Sequence, residues 1–214
     1  MYNKSENIKK VASIAMFSAM AFTTRLLFKI PVGFLTLDVK DAIITLGGLI
    51  FGPLSGIIIA LITSLLEFII SETGPIGLVM NFVSSGTFVG VASFIYKFRR
   101  NVNGAIIGLF SSVIATTAVM LLMNIFLTPI YQGVARSAVI ALIPTLFFPF
   151  NFAKTLLNSS IVMFIYKPIV TALRKAKIIS VSKNAVKFNR TSIYVFVLGL
   201  VALTGAVVIL LTIS

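Results

Sequence analysis

Cysteine and histidine are both missing from this 214-residue chain. Their absence removes disulfides, thiol chemistry, most zinc sites and the commonest general base. Negative charge is scarce as well: Glu6, Asp38, Asp41, Glu67 and Glu72 are the whole acidic complement, against 18 lysines and arginines. Charged residues of both signs make up 11% of the chain, where an ordinary soluble domain carries about a quarter. Hydrophobic residues take their place, at 58% with a mean hydropathy of +1.10. Such a composition belongs to an integral membrane protein. A cleavable secretory signal would lead into a soluble mature domain; here one apolar segment follows another after Lys9 and Lys10, so the first is expected to remain as a span.

The net charge of +13 raises nucleic acid as a partner, but its distribution argues against one. Thirteen of the 18 basic residues fall in three groups: Lys4, Lys9 and Lys10; Lys97, Arg99 and Arg100; and Lys167, Arg174, Lys175, Lys177, Lys183, Lys187 and Arg190. Each group flanks an apolar segment, as cytoplasmic loops do under the positive-inside rule. The expected surroundings are a lipid bilayer, with no nucleic acid.

Apolar segments of spanning length, about 20 residues, occupy 8–28, 54–71, 76–96, 104–128, 146–167 and 192–214. A shorter run, Ala42 to Phe51, is resolved by parity. If it does not cross, the basic N-terminus and the "KFRRN" loop lie on opposite sides; if it crosses, all three basic groups are cytoplasmic. The expectation is an all-α polytopic membrane protein with a cytoplasmic N-terminus. A six-helix membrane body covers 1–170, a basic cytoplasmic linker 171–190, and one additional C-terminal transmembrane helix 191–214. The linker reads as a solvated loop drawn to anionic lipid headgroups. No internal repeat is visible, which counts against an inverted-repeat transporter.

Polar residues interrupt the spans at similar depth. In "PFNFAKTLLNSS", Asn151, Lys154 and Asn158 are spaced by three and four, on one helical face. Lys154 is about eight residues from the outer end of its helix, hence roughly 12 Å deep. Asn81, Asn124, Glu67 and Arg25 also fall toward the outer ends of their spans. An ionisable side chain at that depth turns toward protein or water. Lys154 by itself is compatible with snorkelling or with a buried ion pair to Glu67, and single amides with helix-packing hydrogen bonds. Several amides and a lysine at one level on different helices fit a polar ligand better.

Support for chemistry is thin. Asp38 and Asp41 in "LTLDVKDA" have the spacing of a carboxylate pair for metal or acid-base work, but the preferred reading is a loop with Asp41 capping the next helix. "GGLIFGPLSG" lacks the lysine and hydroxyl ending of a phosphate-binding loop, so its glycines serve turns or close helix packing. The chain is not expected to be an enzyme or to carry an ATPase. On the first helix, "ASIAMFSAMAF" sets Ala15 and Ala19 four apart, with Ala12 and Ser18 nearby. That small-residue face packs within the bundle or receives a partner helix.

Taken together, "LTLDVKDAIITLGGLIFGPLSGI", "MNFVSSGTF", "MNIFLTPIY" and "PFNFAK" resemble the substrate-binding S components of energy-coupling factor (ECF) vitamin transporters, most closely the riboflavin-specific type. The resemblance runs through about residues 8–175. It implies a six-helix bundle that captures riboflavin from the outside as a transported ligand, with no cofactor or metal. It places Asn124, Asn151 and Lys154 at the flavin ring, with Leu37 and Thr36 covering it from the first loop; Asn81 is a further candidate contact. It also assigns Ala15 and Ala19 to docking on a membrane scaffold subunit that carries two cytoplasmic ATPases in the plasma membrane. The seventh helix departs from that pattern, and the absence of tryptophan leaves stacking to phenylalanine, tyrosine or aliphatic side chains.

Three alternatives remain open on sequence. A related vitamin such as pyridoxine, pantothenate or a thiamine precursor fits a similar body. An independent ion-coupled transporter would use Glu67 and Lys154 as its coupling pair. A membrane-embedded enzyme would use Asp38 and Asp41 with a metal.

Overall fold

Proline, glycine and short polar turns cut the apolar sequence into helices. A computed structural model describes residues 4–32, 34–71, 73–175, 197, 199–201 and 204–209. Helix α1 (Lys4–Leu27) leads into an antiparallel hairpin of β1 (Ile30–Val32) and β2 (Leu35–Leu37), with Ile30 opposite Leu37. Helices α2 (Lys40–Phe51), α3 (Pro53–Ile70), α4 (Gly74–Phe98) and α5 (Val102–Gln132) follow. A short α6 (Arg136–Ala141) and a π-helical turn (Ile143–Phe147) then feed α7 (Phe148–Lys175).

The breaks have local causes. Gly52 adopts φ 97° between α2 and α3, a left-handed conformation that side chains resist, and Pro53 opens α3 where no amide hydrogen is needed. Asn101 caps α5, its side chain accepting from the Gly104 amide at 2.7 Å.

Among the described residues, four segments are long and apolar enough to cross a membrane: Pro53–Ile70, Gly74–Phe98, Asn103–Gln132 and Ile143–Leu173; α1, expected as the first span, is long enough at 24 residues but is not one of the four. Cross-helix contacts fix their directions. Lys40, near the start of α2, meets Glu67 near the end of α3, while the two helices join at Gly52, so they are antiparallel. Asn81 on α4 meets the same Glu67, so α4 opposes α3. Arg25 at the end of α1 also reaches Glu67, so α1 parallels α3. The N-terminus of α1 and the C-terminus of α4 therefore share one end, which carries Lys9, Lys10, Lys97, Arg99 and Arg100. The β-hairpin lies at the other. This is the arrangement that parity predicts.

Helix α2 differs from a full span. Its 12 residues rise about 18 Å, against a hydrocarbon core of about 30 Å. It lies inside the bundle, with Ala42, Ile44, Leu46 and Leu49 buried. Glycine permits this packing: a Cβ on Gly56 would stand 2.8 Å from the Gly48 Cα and 2.4 Å from a Val89 methyl. The glycine-rich stretch therefore serves both of its expected uses, the turn at Gly52 and close α2–α3–α4 packing at Gly48 and Gly56. The final body helix, expected over 146–167, is extended by the π turn before it and runs on to Lys175.

Of the expected linker, 176–190 lies outside the described residues, as does much of the expected C-terminal helix. Where that helix is described, Ala206 is fully buried, and Gly199 lies so near the Phe164 ring that a Cβ there would come within 3.2 Å of it.

Candidate functional site: a buried charge cluster under the hairpin

Six ionisable side chains from five segments converge at the hairpin end. Arg25 comes from α1, Asp38 from the connection after β2, Lys40 and Asp41 from α2, Glu67 from α3 and Lys154 from α7. All but Arg25 are 9% exposed or less. Three cations balance three carboxylates, which is how buried charge is tolerated in an apolar bundle.

Pairing divides the cluster into two lobes. Lys40 Nζ donates to both Glu67 oxygens at 2.6 Å, and Asn81 Nδ2 donates to Oε2 at 2.9 Å. Across from them, Lys154 Nζ donates to Asp38 Oδ2 at 3.0 Å. Arg25 bridges the lobes: its Nε is 3.4 Å from Glu67 Oε2 and 3.9 Å from Asp38 Oδ2. The expected alternative partner of Lys154, Glu67, is thus held by Lys40, and Asp38 takes its place.

Asp41 is not the cap of α2. The residue before the helix is Val39, which makes no side-chain cap bond, and the Asp41 carboxylate instead accepts from the Ser85 hydroxyl on α4. The cap comes from α7. Asn158 Oδ1 accepts from the Ala42 amide at 2.8 Å, and its Nδ2 donates to the carbonyls of Asp38 and Lys154 at 3.1 and 3.0 Å. Asp38 is paired through one oxygen to Lys154 and Asp41 to Ser85. Among the described residues no group of three or more acidic, histidine or cysteine side chains is placed to hold a metal.

The amides of α5 and α7 border the Asp38 lobe. Thr117 and Thr155 face each other at 3.4 Å between the antiparallel helices. Counting from that level, Asn124 lies about 10 Å and Asn151 about 6 Å toward the hairpin end. Asn151 Nδ2 donates to the Phe147 carbonyl in the π turn at 2.7 Å. Asn124 donates to the Met120 carbonyl at 2.7 Å and accepts from Thr128 at 3.0 Å. The hairpin lies over these helix ends: Leu37 and Val32 pack with Phe150, and the Phe34 ring meets Tyr131 and Phe147 edge-on. Thr36, opposite Pro31, is half-buried on the same hairpin.

Of the residues expected from sequence, Lys154, Asn151 and Leu37 thus gather between α7 and the hairpin, with Asn124 on the neighbouring helix, while Thr36 lies on the hairpin with its side chain on the strand face opposite Leu37. Asn81 stands apart, in the Glu67 lobe. Lys40 and Ser85 were not foreseen. The available signal for Lys40 was a lysine separated only by Asp41 from a run of ten apolar and small residues, Ala42 to Phe51. On α1, Ala12, Ala15 and Ala19 are exposed with Val11, Met16 and Met20, while Ser13, Phe17, Ser18 and Ala21 face inward.

Comparison with known proteins points one way. The family described as the substrate-specific component of ECF transporters matches residues 9–166. The riboflavin transporter RibU of Staphylococcus aureus (strain TCH60) is 34% identical over 182 residues, covering 81% of this chain and 96% of that protein. The riboflavin transporter FmnP of Bacillus subtilis (strain 168) is 29% identical over 187 residues, covering 80% and 98%. A solved S component of a bacterial ECF transporter superposes with a TM-score of 0.68 at 31% identity, covering 78% of this chain and 99% of that one. The bundle, its hairpin end and these matches agree that the chain is a multi-pass membrane transport component and belongs to the family of ECF transporter substrate-specific components.

Proposed function

We propose that this protein is the riboflavin-capturing subunit of an ATP-driven ECF importer in the plasma membrane. The observation that carries the reading is Lys154: a buried ammonium one helical turn from Asn151, beneath a hairpin, in a chain whose similar relatives are named riboflavin transporters. An isoalloxazine ring is a flat apolar plate with carbonyl and ring-nitrogen acceptors along one edge. It suits an apolar slot with a few donors at one side. Lys154 has three N–H donors and Asn151 two, and the pair present them along one face of α7. Asn124 faces the same region from α5, while Leu37 closes it from the hairpin, with Thr36 on the opposite strand face. Asn81, bound to Glu67, supports the charged framework rather than the ring.

Delivery of the ligand inward falls to partners. The exposed alanines on α1 leave a shallow stripe at which another helix can approach closely, and we assign Ala15 and Ala19 to docking on a transmembrane scaffold that carries two cytoplasmic ATPases. The ion-coupled reading loses its pairing, because Glu67 is held by Lys40 and Asn81.

The test is a visible spectrum of protein purified in detergent from riboflavin-fed cells, followed by titration of the ligand-free form. Equimolar bound flavin with quenched fluorescence supports the assignment. A colourless protein that ignores riboflavin rejects it and moves the search to pyridoxine, pantothenate and thiamine precursors.

A further inference from the structure

Lys154 holds two commitments if it binds a ligand. Its Nζ donates to Asp38 Oδ2 at 3.0 Å, and Asp38 is 2% exposed. When an acceptor on the ligand draws that ammonium away, a carboxylate is left buried without its counter-ion, an arrangement that is strongly disfavoured. A second cation within reach of Asp38 answers that charge.

Two other cations lie in the cluster. Lys40 is unsuitable, since both Glu67 oxygens hold it at 2.6 Å. Arg25 is placed between the lobes, 3.4 Å from Glu67 and 3.9 Å from Asp38. Neither approach forms a hydrogen bond: among the described residues the buried Nε of Arg25 has no hydrogen-bond partner, and neither has the buried Oδ1 of Asp38. A spare donor and a spare acceptor of opposite charge thus stand in one cluster. Glu67 keeps Lys40 and Asn81 if Arg25 leaves it, so the shift uncovers no other charge. A guanidinium also matches a carboxylate with two parallel bonds, which an ammonium does not.

We propose that Arg25 is a positioning residue for ligand capture, the reserve counter-ion that takes Asp38 when Lys154 turns to the ligand. It acts through Asp38 and Lys154 without touching the ligand. The capture step rests on the function proposed above; the sharing of Asp38 by Arg25 and Lys154 does not.

The test uses the full chain in detergent and begins without ligand. Thermal unfolding is measured for Arg25→Gln, Lys154→Gln and the double variant. Because each cation covers for the other, Arg25→Gln should lower the midpoint several degrees more in the Lys154→Gln protein than in wild type. Equal shifts overturn the proposal. If the double variant does not fold, adding Asp38→Asn should restore a cooperative transition, since no carboxylate is then stranded; failure to recover also overturns it. Riboflavin titration gives the second readout. Arg25→Gln should weaken binding by about tenfold or more, a modest fraction of what a stranded buried charge costs, and the same change on Asp38→Asn should have little further effect. Equal weakening on both backgrounds overturns the capture role. Wild type that binds no riboflavin rejects the ligand assignment, while the unfolding cycle still decides whether Arg25 is the reserve.

Discussion

Lys40 donates to both oxygens of Glu67 within the bundle, and such a pair is strong chiefly against being halved. Removing one partner leaves a buried charge, at a cost of about 3–5 kcal/mol, whereas replacing both with apolar groups is often tolerated. Lys40→Met and Glu67→Leu should each lower the unfolding midpoint sharply in detergent, and the double variant should recover much of the loss. Lys154→Ala is expected to act on binding: flavin affinity should fall about 30-fold or more, the effect of truncating one member of a buried charged contact, with helical circular dichroism retained. The alignment of Asn151, Lys154 and Asn158 was legible because spacings of three and four define a face before any packing is known. The anion opposite Lys154 was not. Residue count sets depth along a helix, but rotation and crossing angle decide which carboxylate at that depth is met, and here that was Asp38 instead of Glu67.

Among the elements, α2 was the hardest to read. Its apolar run is short, and its cap lies 116 residues away in sequence, on α7; no local pattern reveals a cap supplied from so far off. The aspartate that looked like a cap bonds to Ser85 on α4 instead. Asn158→Ala should strip α2 of its amide acceptor and two carbonyls of their donor. A stability loss of about 1–3 kcal/mol is expected for such unsatisfied buried groups, visible in thermal unfolding. The hairpin was also unmarked, since strands of three residues carry too little alternation to read. Helix α1 shows the converse, its alanines at 12, 15 and 19 legible from spacing and left exposed by the fold, while Ser18 turns inward. Ala15→Leu should leave riboflavin titration unchanged while abolishing uptake by cells that carry the whole importer. Normal uptake would remove the docking assignment.

For the molecule as a whole, the long spans and their alternation are read from hydropathy and the placement of lysine and arginine, and the contacts at Glu67 bear out the alternation from α1 to α4. The function proposed for the body requires residues up to Lys175 only. A chain ending there should bind riboflavin as the full protein does, and weaker binding would bring the C-terminal segment into the site. The short α2 has a consequence for how the protein is made. Its first turn carries Lys40, Asp41 and the Ala42 amide, whose partners arrive later in synthesis: Glu67 with α3, Ser85 with α4 and Asn158 with α7 respectively. When α2 leaves the ribosome it is too short to rest across a bilayer and has two charges with nothing to answer them. Both charges are answered only once α4 is made, and the α2 amide is capped only once α7 is made, so a chain ending before Asn158 should accumulate in the membrane less than one ending at Lys175.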